Sequence, residues 1–191
     1  MDTLKNEVIY EGTSVQDAIL YSDKDLYIAK SAEGMPASAL IHVDVATKET
    51  VALPLTGTVA FSLSCEQNVE HAPIYGISVT KGKTIVFSFN PQKKTVTQLM
   101  QYTEEDSEAF AALYEQTLYT NIGKNQVRSY TVRNKKSVTF KRSASLPLKV
   151  ARNKSHIVVL NRDGSVSWYN PDFTTVIIDW YMTTDGQWFE F

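Results

Sequence analysis

Short runs of alternating apolar and polar residues, separated by polar turns, recur along the whole chain. Alternation with a period of two predicts strands that bury one face, and the polar residues between the runs predict turns. The clearest pair of runs extends from Thr84 to Met100, with an alternating stretch over 85–89, a turn over 90–94 and a returning strand from Thr95. The same hairpin pattern occurs four times, so the sequence predicts a repeat protein built from hairpins.

The four hairpins are evenly spaced. The intervals between the first residues of the returning strands are 45, 42 and 38 residues, and these strands begin at Thr50, Thr95, Ser137 and Thr175. Two further predicted strands precede each hairpin, and a unit of four short strands every 40 or so residues is typical of a propeller blade. The prediction is therefore an all-β fold of about four propeller-type blades, in which residues 1–191 are a single domain or the C-terminal part of a larger propeller. The predicted repeats lie at about 14–56, 57–103, 107–143 and 146–182.

One segment gives conflicting signals. Residues 104–115 are rich in good helix formers, with acidic residues in the first turn, and this composition favours a short helix. The repeat spacing instead requires a strand at 109–113, and we favour the strand.

Two terminal segments do not fit four complete repeats. Residues 7–11 are predicted to form an outer fourth strand, and residues 187–191 an inner first strand. A closed ring made of this chain alone leaves both unexplained, and unpaired apolar edges promote aggregation. We therefore expect an open half-ring or the last part of a longer propeller, completed by a second copy or by further sequence.

The fourth repeat carries a resemblance to a known family. Its residues 163–170 read Asp-Gly-Ser-Val-Ser-Trp-Tyr-Asn and are followed by Pro171 and Asp172. A tight Asp-Gly turn leading into a strand with a tryptophan resembles the end of a WD-repeat or related propeller blade. The Gly-His pair and the terminal Trp-Asp of WD repeats are absent from the chain. The resemblance therefore implies the fold, and with it binding rather than catalysis.

The composition limits the class of protein. Hydrophobic residues make up 43% of the chain and charged residues 21%, which is typical of a globular protein. The single cysteine, Cys65, excludes an internal disulfide and is compatible with a reducing compartment. No apolar stretch approaches the roughly 20 residues that cross a bilayer. We expect a cytoplasmic protein without a membrane span.

A net charge of −2 conceals a basic third repeat. Residues 117–162 contain eleven Lys or Arg and no acid, while residues 1–70 contain eleven acids and four bases. Aromatic residues lie among the basic ones, a combination that holds phosphates and stacks bases. The sequence pI of about 5.9 instead favours an acidic protein over nucleic acid as the partner. The predicted site for an anionic partner consists of Lys124, Arg128, Arg133, Lys135, Lys136, Lys141 and Arg142.

No catalytic motif is present. The sequence lacks a nucleophile turn, a phosphate-binding glycine loop and a metalloprotease helix motif. His42 lies on a predicted strand and is expected to be packed. His71, near Cys65 and Glu66, is a weak metal candidate without a fourth ligand. We predict no catalytic residues, no metal and no cofactor.

The function predicted from these features is a non-enzymatic binding or scaffold module that presents loops or a blade edge to another protein. The alternatives are a propeller enzyme, a hydrolase or lyase with its site at the central channel, and an accessory domain of a larger enzyme. The predicted inner strands contain mainly Ala, Ser, Leu and Phe, which favours binding. Self-association is a further expectation.

Overall fold

The computed structural model describes residues 7–32, 38–55, 59–66, 69, 71–103, 111–121, 126–141, 147–152, 155–161, 163–170, 176–182 and 188–190. Within these ranges the regular secondary structure consists of β-strands, with no helix. The strands form four antiparallel sheets that follow one another in sequence order. The predicted all-β, propeller-like fold is confirmed.

Each sheet is a meander in which consecutive strands are neighbours. The first sheet contains β1 (Val15–Leu20), β2 (Asp25–Lys30), β3 (Leu40–Asp44) and β4 (Thr50–Ala52). The second contains β5 (Val59–Cys65), β6 (Ile74–Thr80), β7 (Lys83–Asn90) and β8 (Thr95–Tyr102). The third contains β9 (Ala111–Tyr114), β10 (Thr117–Asn121), β11 (Gln126–Thr131) and β12 (Lys136–Lys141). The fourth contains β13 (Pro147–Arg152), β14 (Ile157–Asn161), β15 (Ser165–Tyr169), β16 (Val176–Met182) and β17 (Trp188–Glu190).

Local turn chemistry fixes the phase of the hairpins. The outer strands β4, β8, β12 and β16 begin within one residue of the predicted positions. Lys48, Lys94 and Lys135 occupy the turns before three of these strands, with φ values of 63°, 51° and 57°. Side-chain oxygens cap the same turns: Asp44 accepts a hydrogen bond from the Thr47 amide at 2.8 Å. Such side-chain caps favour a turn over continued strand, which is why the sequence located these hairpins.

Both terminal expectations were wrong. Residues 7–11 are not in a strand, and Glu7 instead forms an exposed ion pair with Lys48 at 2.9 Å. A short apolar run does not make a strand unless a partner edge accepts its hydrogen bonds. β17 pairs antiparallel with β16 as a fifth, outermost strand of the fourth sheet, and does not begin a further blade. In this position β17 pairs with the backbone groups along the edge of β16. The repeat spacing in the sequence did not predict this pairing.

The ambiguous segment contains a strand where the structure describes it. β9 covers Ala111–Tyr114 and pairs with β10. Residues 104–110 lie outside the described residues. Residues 111–114 therefore form a strand despite their helix propensity. Intrinsic propensity describes an isolated segment and does not include the hydrogen bonds that pairing with β10 provides.

Apolar layers between successive sheets form the core. Phe87 and Phe89 of the second sheet pack toward Tyr27 and Leu40 of the first, and all four are buried. The other face of the second sheet, with Ile77, contributes to the layer shared with the third sheet. Full burial of each phenylalanine stabilises the fold by about 1.5–3 kcal/mol.

Packing between sheets follows the chain order. β1 and β2 contact β5, β5 and β6 contact β9, and β9 and β10 contact β13. Each innermost strand thus lies against the inner strands of the sheet before it, as in a propeller. Between the described strands of the fourth sheet and those of the first, no packing of comparable extent is present.

Candidate interaction site

The structure divides the predicted basic site between the two ends of the third sheet. Arg133 and Lys135 are exposed in the turn between β11 and β12, and Lys136 is exposed at the start of β12; we call these three residues the basic turn. Lys141 ends β12, about 17 Å from Lys136 at the rise of an extended strand. Lys124 and Arg142 lie outside the described residues.

Arg128 has a contact between sheets. It lies on β11, half-buried, and its guanidinium carbon is 5.7 Å from the ring centroid of Tyr102 at the end of β8. Burial raises the pKa of Tyr102, and the Arg128 charge offsets part of that rise. A cation over an aromatic face contributes about 0.5–1 kcal/mol or more to packing. The Arg128 side chain therefore joins the second and third sheets.

A cleft of about 240 Å³ opens beside the basic turn. Turns and strand ends of two sheets form it. The second sheet contributes the residues flanking the loop between β5 and β6, and the third contributes its β9–β10 and β11–β12 turns. The lining residues are Glu66, Pro73, Tyr75, Leu113, Glu115, Gln116, Val132 and Arg133.

Backbone contacts fix the walls of the cleft. The Val132 amide donates a hydrogen bond to the Gln116 carbonyl at 2.9 Å, which ties the two turns of the third sheet together. Glu115 has a φ of 50°, a left-handed conformation that turns the chain sharply between β9 and β10. The Lys136 amide donates to the Asn134 Oδ1 at 2.9 Å. These hydrogen bonds hold the backbone around the cleft in place.

The cleft combines an apolar floor with charges of both signs. Tyr75 on β6 is buried, and burial together with the nearby Glu66 carboxylate raises its pKa, so its phenol stays protonated. Leu113 and Val132 add apolar surface. Glu66 and Glu115 place two carboxylates in the lining, and Arg133 places a guanidinium there. The arrangement suits a ligand with an apolar side chain and flanking charges.

A second polar cluster lies on the first sheet. The His42 Nε2 is 2.7 Å from the Asp25 Oδ1, and the Ser22 hydroxyl donates to the Asp25 Oδ2 at 2.6 Å. The Ser22 hydrogen bond lowers the pKa of Asp25, and the His42 contact adds to this. A catalytic triad needs the histidine between the serine and the carboxylate. Here the carboxylate is in the middle, so His42 is not placed to take the Ser22 proton.

Potential metal ligands are not clustered in the described part of the structure. Within the part of the chain that the structure describes, no three His, Cys, Asp or Glu side chains are grouped closely enough to hold a metal ion. Cys65 is buried at the end of β5, and burial raises the pKa of its thiol. Its sulfur therefore remains a neutral, packed group.

Sequence reasoning did not find the cleft. Arg133 was among the predicted site residues, but Tyr75, Leu113 and Gln116 were not. These three belong to different sheets or turns, and none is part of a motif. The sequence offered one indication of the cleft. In a propeller, the basic turn of the third repeat is expected to lie beside the β5–β6 loop of the second repeat.

Sequence comparisons identify relatives whose function is not described. An uncharacterized protein of Treponema pallidum (strain Nichols) is 30% identical over 88 residues, which are 46% of this chain and 96% of that protein. A family profile described as "Uncharacterised protein" matches residues 112–183, a range that runs from β9 to the end of β16 and its following residue. No WD-repeat family matches.

Solved structures with propeller-like architecture share the fold. U3-55K aligns with a TM-score of 0.70 and 13% identity over 93% of this chain and 55% of its own. Auxiliary nutrient binding proteins from Bacteroides ovatus ATCC 8483 and Bacteroides thetaiotaomicron VPI-5482 align with TM-scores of 0.63 and 0.65, each at 12% identity. These alignments cover 87% and 94% of this chain, and 48% and 50% of theirs. The chain thus spans about half the length of these structures.

The part of the chain that the structure describes contains no helix with the length and apolar character needed to cross a membrane.

Proposed function

We propose that this chain, which belongs to the family of the uncharacterized Treponema pallidum protein, is a non-enzymatic propeller-type module that binds a protein partner. The bound element is an extended segment of that partner, held at the cleft between the second and third sheets. One side chain of the segment enters the cleft, and an acidic group beside it meets the basic turn of Arg133, Lys135 and Lys136.

The size of the cleft carries this proposal. Sites for whole small molecules occupy about 300–1,000 Å³. The cleft has about 240 Å³, which suits one side chain of a longer ligand better than a complete nutrient or cofactor. Its walls are turns at the ends of strands, which remain accessible to a passing chain.

Charge supports a polypeptide with an acidic group. Arg133 lines the cleft, and Lys135 and Lys136 are exposed in the same turn. Glu66 and Glu115 supply acidic groups in the lining, so a uniformly anionic ligand such as nucleic acid meets repulsion there. Opposite charges at an interface rim mainly steer association and fix orientation.

The test begins with a displayed library of random peptides selected against the folded chain. We expect recovered peptides to share one large apolar residue with an acidic residue nearby. Gln116→Trp places an indole over the cleft from an exposed position and should weaken binding of these peptides by at least about tenfold, or 1.4 kcal/mol. Gln101→Trp, at an exposed position on the outer strand β8, is the matched control and should leave binding unchanged.

Charge reversal tests the basic turn separately. The double variant Lys135→Glu with Lys136→Glu should slow association and reduce its salt dependence. Lys93→Glu with Lys94→Glu makes the same change in the corresponding turn of the second sheet and serves as the control. Equal losses in the two double variants, or selected peptides insensitive to Gln116→Trp, would show that the cleft is not the binding site.

A further inference from the structure

The fourth sheet has one covered face and one exposed face. Ile157 and Val159 on β14 are fully buried and pack toward the third sheet. Their neighbours Val158 and Leu160 point the other way, and Leu160 is 41% exposed. We call this opposite side the tail face.

The tail face is apolar across two strands. In the register of β14 and β15, Val158 is opposite Trp168 and Leu160 is opposite Val166. Directly opposite residues share a face of the sheet, so these four side chains form one patch. Val158, Val166 and Trp168 are only half-buried. His156 extends the patch, with its ring 5.6 Å from the Trp168 ring in an edge contact.

The sequence of β14 is that of a strand covered on both sides. Residues 157–160 read Ile-Val-Val-Leu, a continuous apolar run rather than an alternation. Such runs are typical of strands buried on both faces. The corresponding strand of the second sheet, β6, is in that position, and its first six residues are all buried. The tail face therefore has the composition of an interface between blades but lacks a blade against it among the described residues.

The first sheet presents a complementary face. Tyr27 and Ala29 on β2 pack toward the second sheet. Leu26 lies on the other side of β2, opposite Leu20 of β1 and Val43 of β3. Leu20 is 57% exposed. We call this side the head face: Ala18 and Leu20 are exposed on it, Leu26 and Ile41 are half-buried, and Ile28 and Val43 are buried.

We propose that the tail face of one copy of this chain packs against the head face of a second copy, and that the reciprocal contact closes a ring of eight sheets. Within the chain, each sheet packs its forward side against the backward side of the next sheet. The tail and head faces are the forward and backward sides left at the two ends of that series. A second copy continues the same contact with the same surfaces.

Ring geometry favours a second copy as the occupant. A head-to-tail contact forms either a closed ring or an open filament, depending on whether the rotations sum to a full turn. Propellers close with about four to eight blades, and two copies with four sheets each supply eight. The solved structures with this fold are about twice as long as the chain, which covers 55%, 48% and 50% of them. The pairing does not depend on what the cleft binds.

The first experiment measures mass by light scattering over a concentration series. The chain has a mass of 21.5 kDa, and we expect a particle of twice that mass that dissociates on dilution. Leu160→Asp and, separately, Leu20→Asp should each give a single chain. Val138→Asp is the matched control, because Val138 is 43% exposed but lies on the outer strand β12, and this variant should remain paired. Circular dichroism of each variant confirms folding.

Mixing the two single-site variants tests the head-to-tail arrangement. Leu160→Asp retains an intact head face and Leu20→Asp an intact tail face, so the mixture has one good contact and should recover association that neither variant shows alone. A tail-to-tail dimer predicts instead that Leu20→Asp still pairs by itself.

Three results overturn the proposal. The unmodified chain remains a single chain at all concentrations, which requires no variant to fold. It forms a ladder of increasing masses, which contradicts closure. Or folded Leu160→Asp remains paired.

Discussion

The second and fourth sheets contain similar strands in different surroundings. The second lies between two other sheets, and its β6 is buried along both faces. The fourth lies against the third on one side, so the buried residues of β14 alternate with Val158, which is half-buried, and Leu160, which is exposed. From sequence alone, β14 would be expected to be the more buried of the two strands, because residues 157–160 are all aliphatic whereas residues 74–79 include Gly and Ser. The aliphatic composition of β14 is thus typical of a strand with a sheet packed on each face. Among the described residues, a sheet packs on only one face of β14, and the tail face is the other.

The largest difference between the second and fourth sheets is expected in the loss of unfolding free energy when a large apolar side chain is truncated. Phe87→Ala removes a ring that is fully buried in the second sheet and should lower the free energy of unfolding by about 3–5 kcal/mol. Leu160→Ala should cost less than about 1 kcal/mol for a single chain, since Leu160 is 41% exposed. Urea unfolding, at a concentration where light scattering shows one chain, measures both. Similar losses would contradict the difference between the sheets.

A smaller effect concerns pH at the covered interface of the first and second sheets. Burial raises the pKa of Tyr27 from the ordinary value of 10.0 to about 12, because a phenolate is disfavoured there. The folded chain keeps the phenol proton over a range in which the unfolded chain releases it. Tyr27 should therefore lower the free energy of unfolding by about 2 kcal/mol as pH rises from 10 to 12. Tyr27→Phe should lose less over this range, and an identical pH profile for parent and variant would contradict the assignment.

Two glycines extend the comparison to the backbone. A Cβ at Gly76 on β6 would lie 2.7 Å from the Phe87 ring, so Gly76→Ala must displace a fully buried side chain and should cost about 2 kcal/mol. Gly164, in the turn before β15, has open space around it but a φ of 84°. Gly164→Ala should cost about 1 kcal/mol through backbone strain alone.

Asparagine separates the two causes. Because it tolerates the left-handed conformation, Gly164→Asn should recover part of that loss, while Gly76→Asn should be worse than Gly76→Ala. Thermal unfolding of the four variants measures these differences, and recovery at both positions would show that crowding at Gly76 is unimportant.

The smallest effect is expected at the exposed turn of the first sheet. Asp25→Ala removes the hydrogen bonds from Ser22 and His42 and should cost at most about 1 kcal/mol, because the Asp25 side chain is 38% exposed. The lowered pKa of Asp25 means that its contribution is present above the ordinary value of 3.8 and is lost as pH falls below it. Parent and variant should therefore converge in stability at low pH. Asp23→Ala, in the same turn, is the control, and an equal loss there would show that the hydrogen bonds do not matter.

The sequence by itself determined the repeat and its hairpins. Alternation and turn residues such as Asp44 and Asn90 act through contacts a few residues apart, so their structural effect is local. The same reasoning located three of the cationic residues, Arg133, Lys135 and Lys136, on one turn. It failed for residues 7–11 and for the place of β17, because whether a strand forms and where it adds depend on an available edge.

Only the tertiary structure decided which residues meet across sheets. The cleft joins Tyr75 to Gln116 and Arg133 through a packing order between sheets that no local pattern contains. Arg128 shows the same limit, since its charge was evident in the sequence while its place over Tyr102 was not. Local hydrogen bonds fix strands and turns, but burial depends on what packs against each face, and that is a property of the assembled sheets.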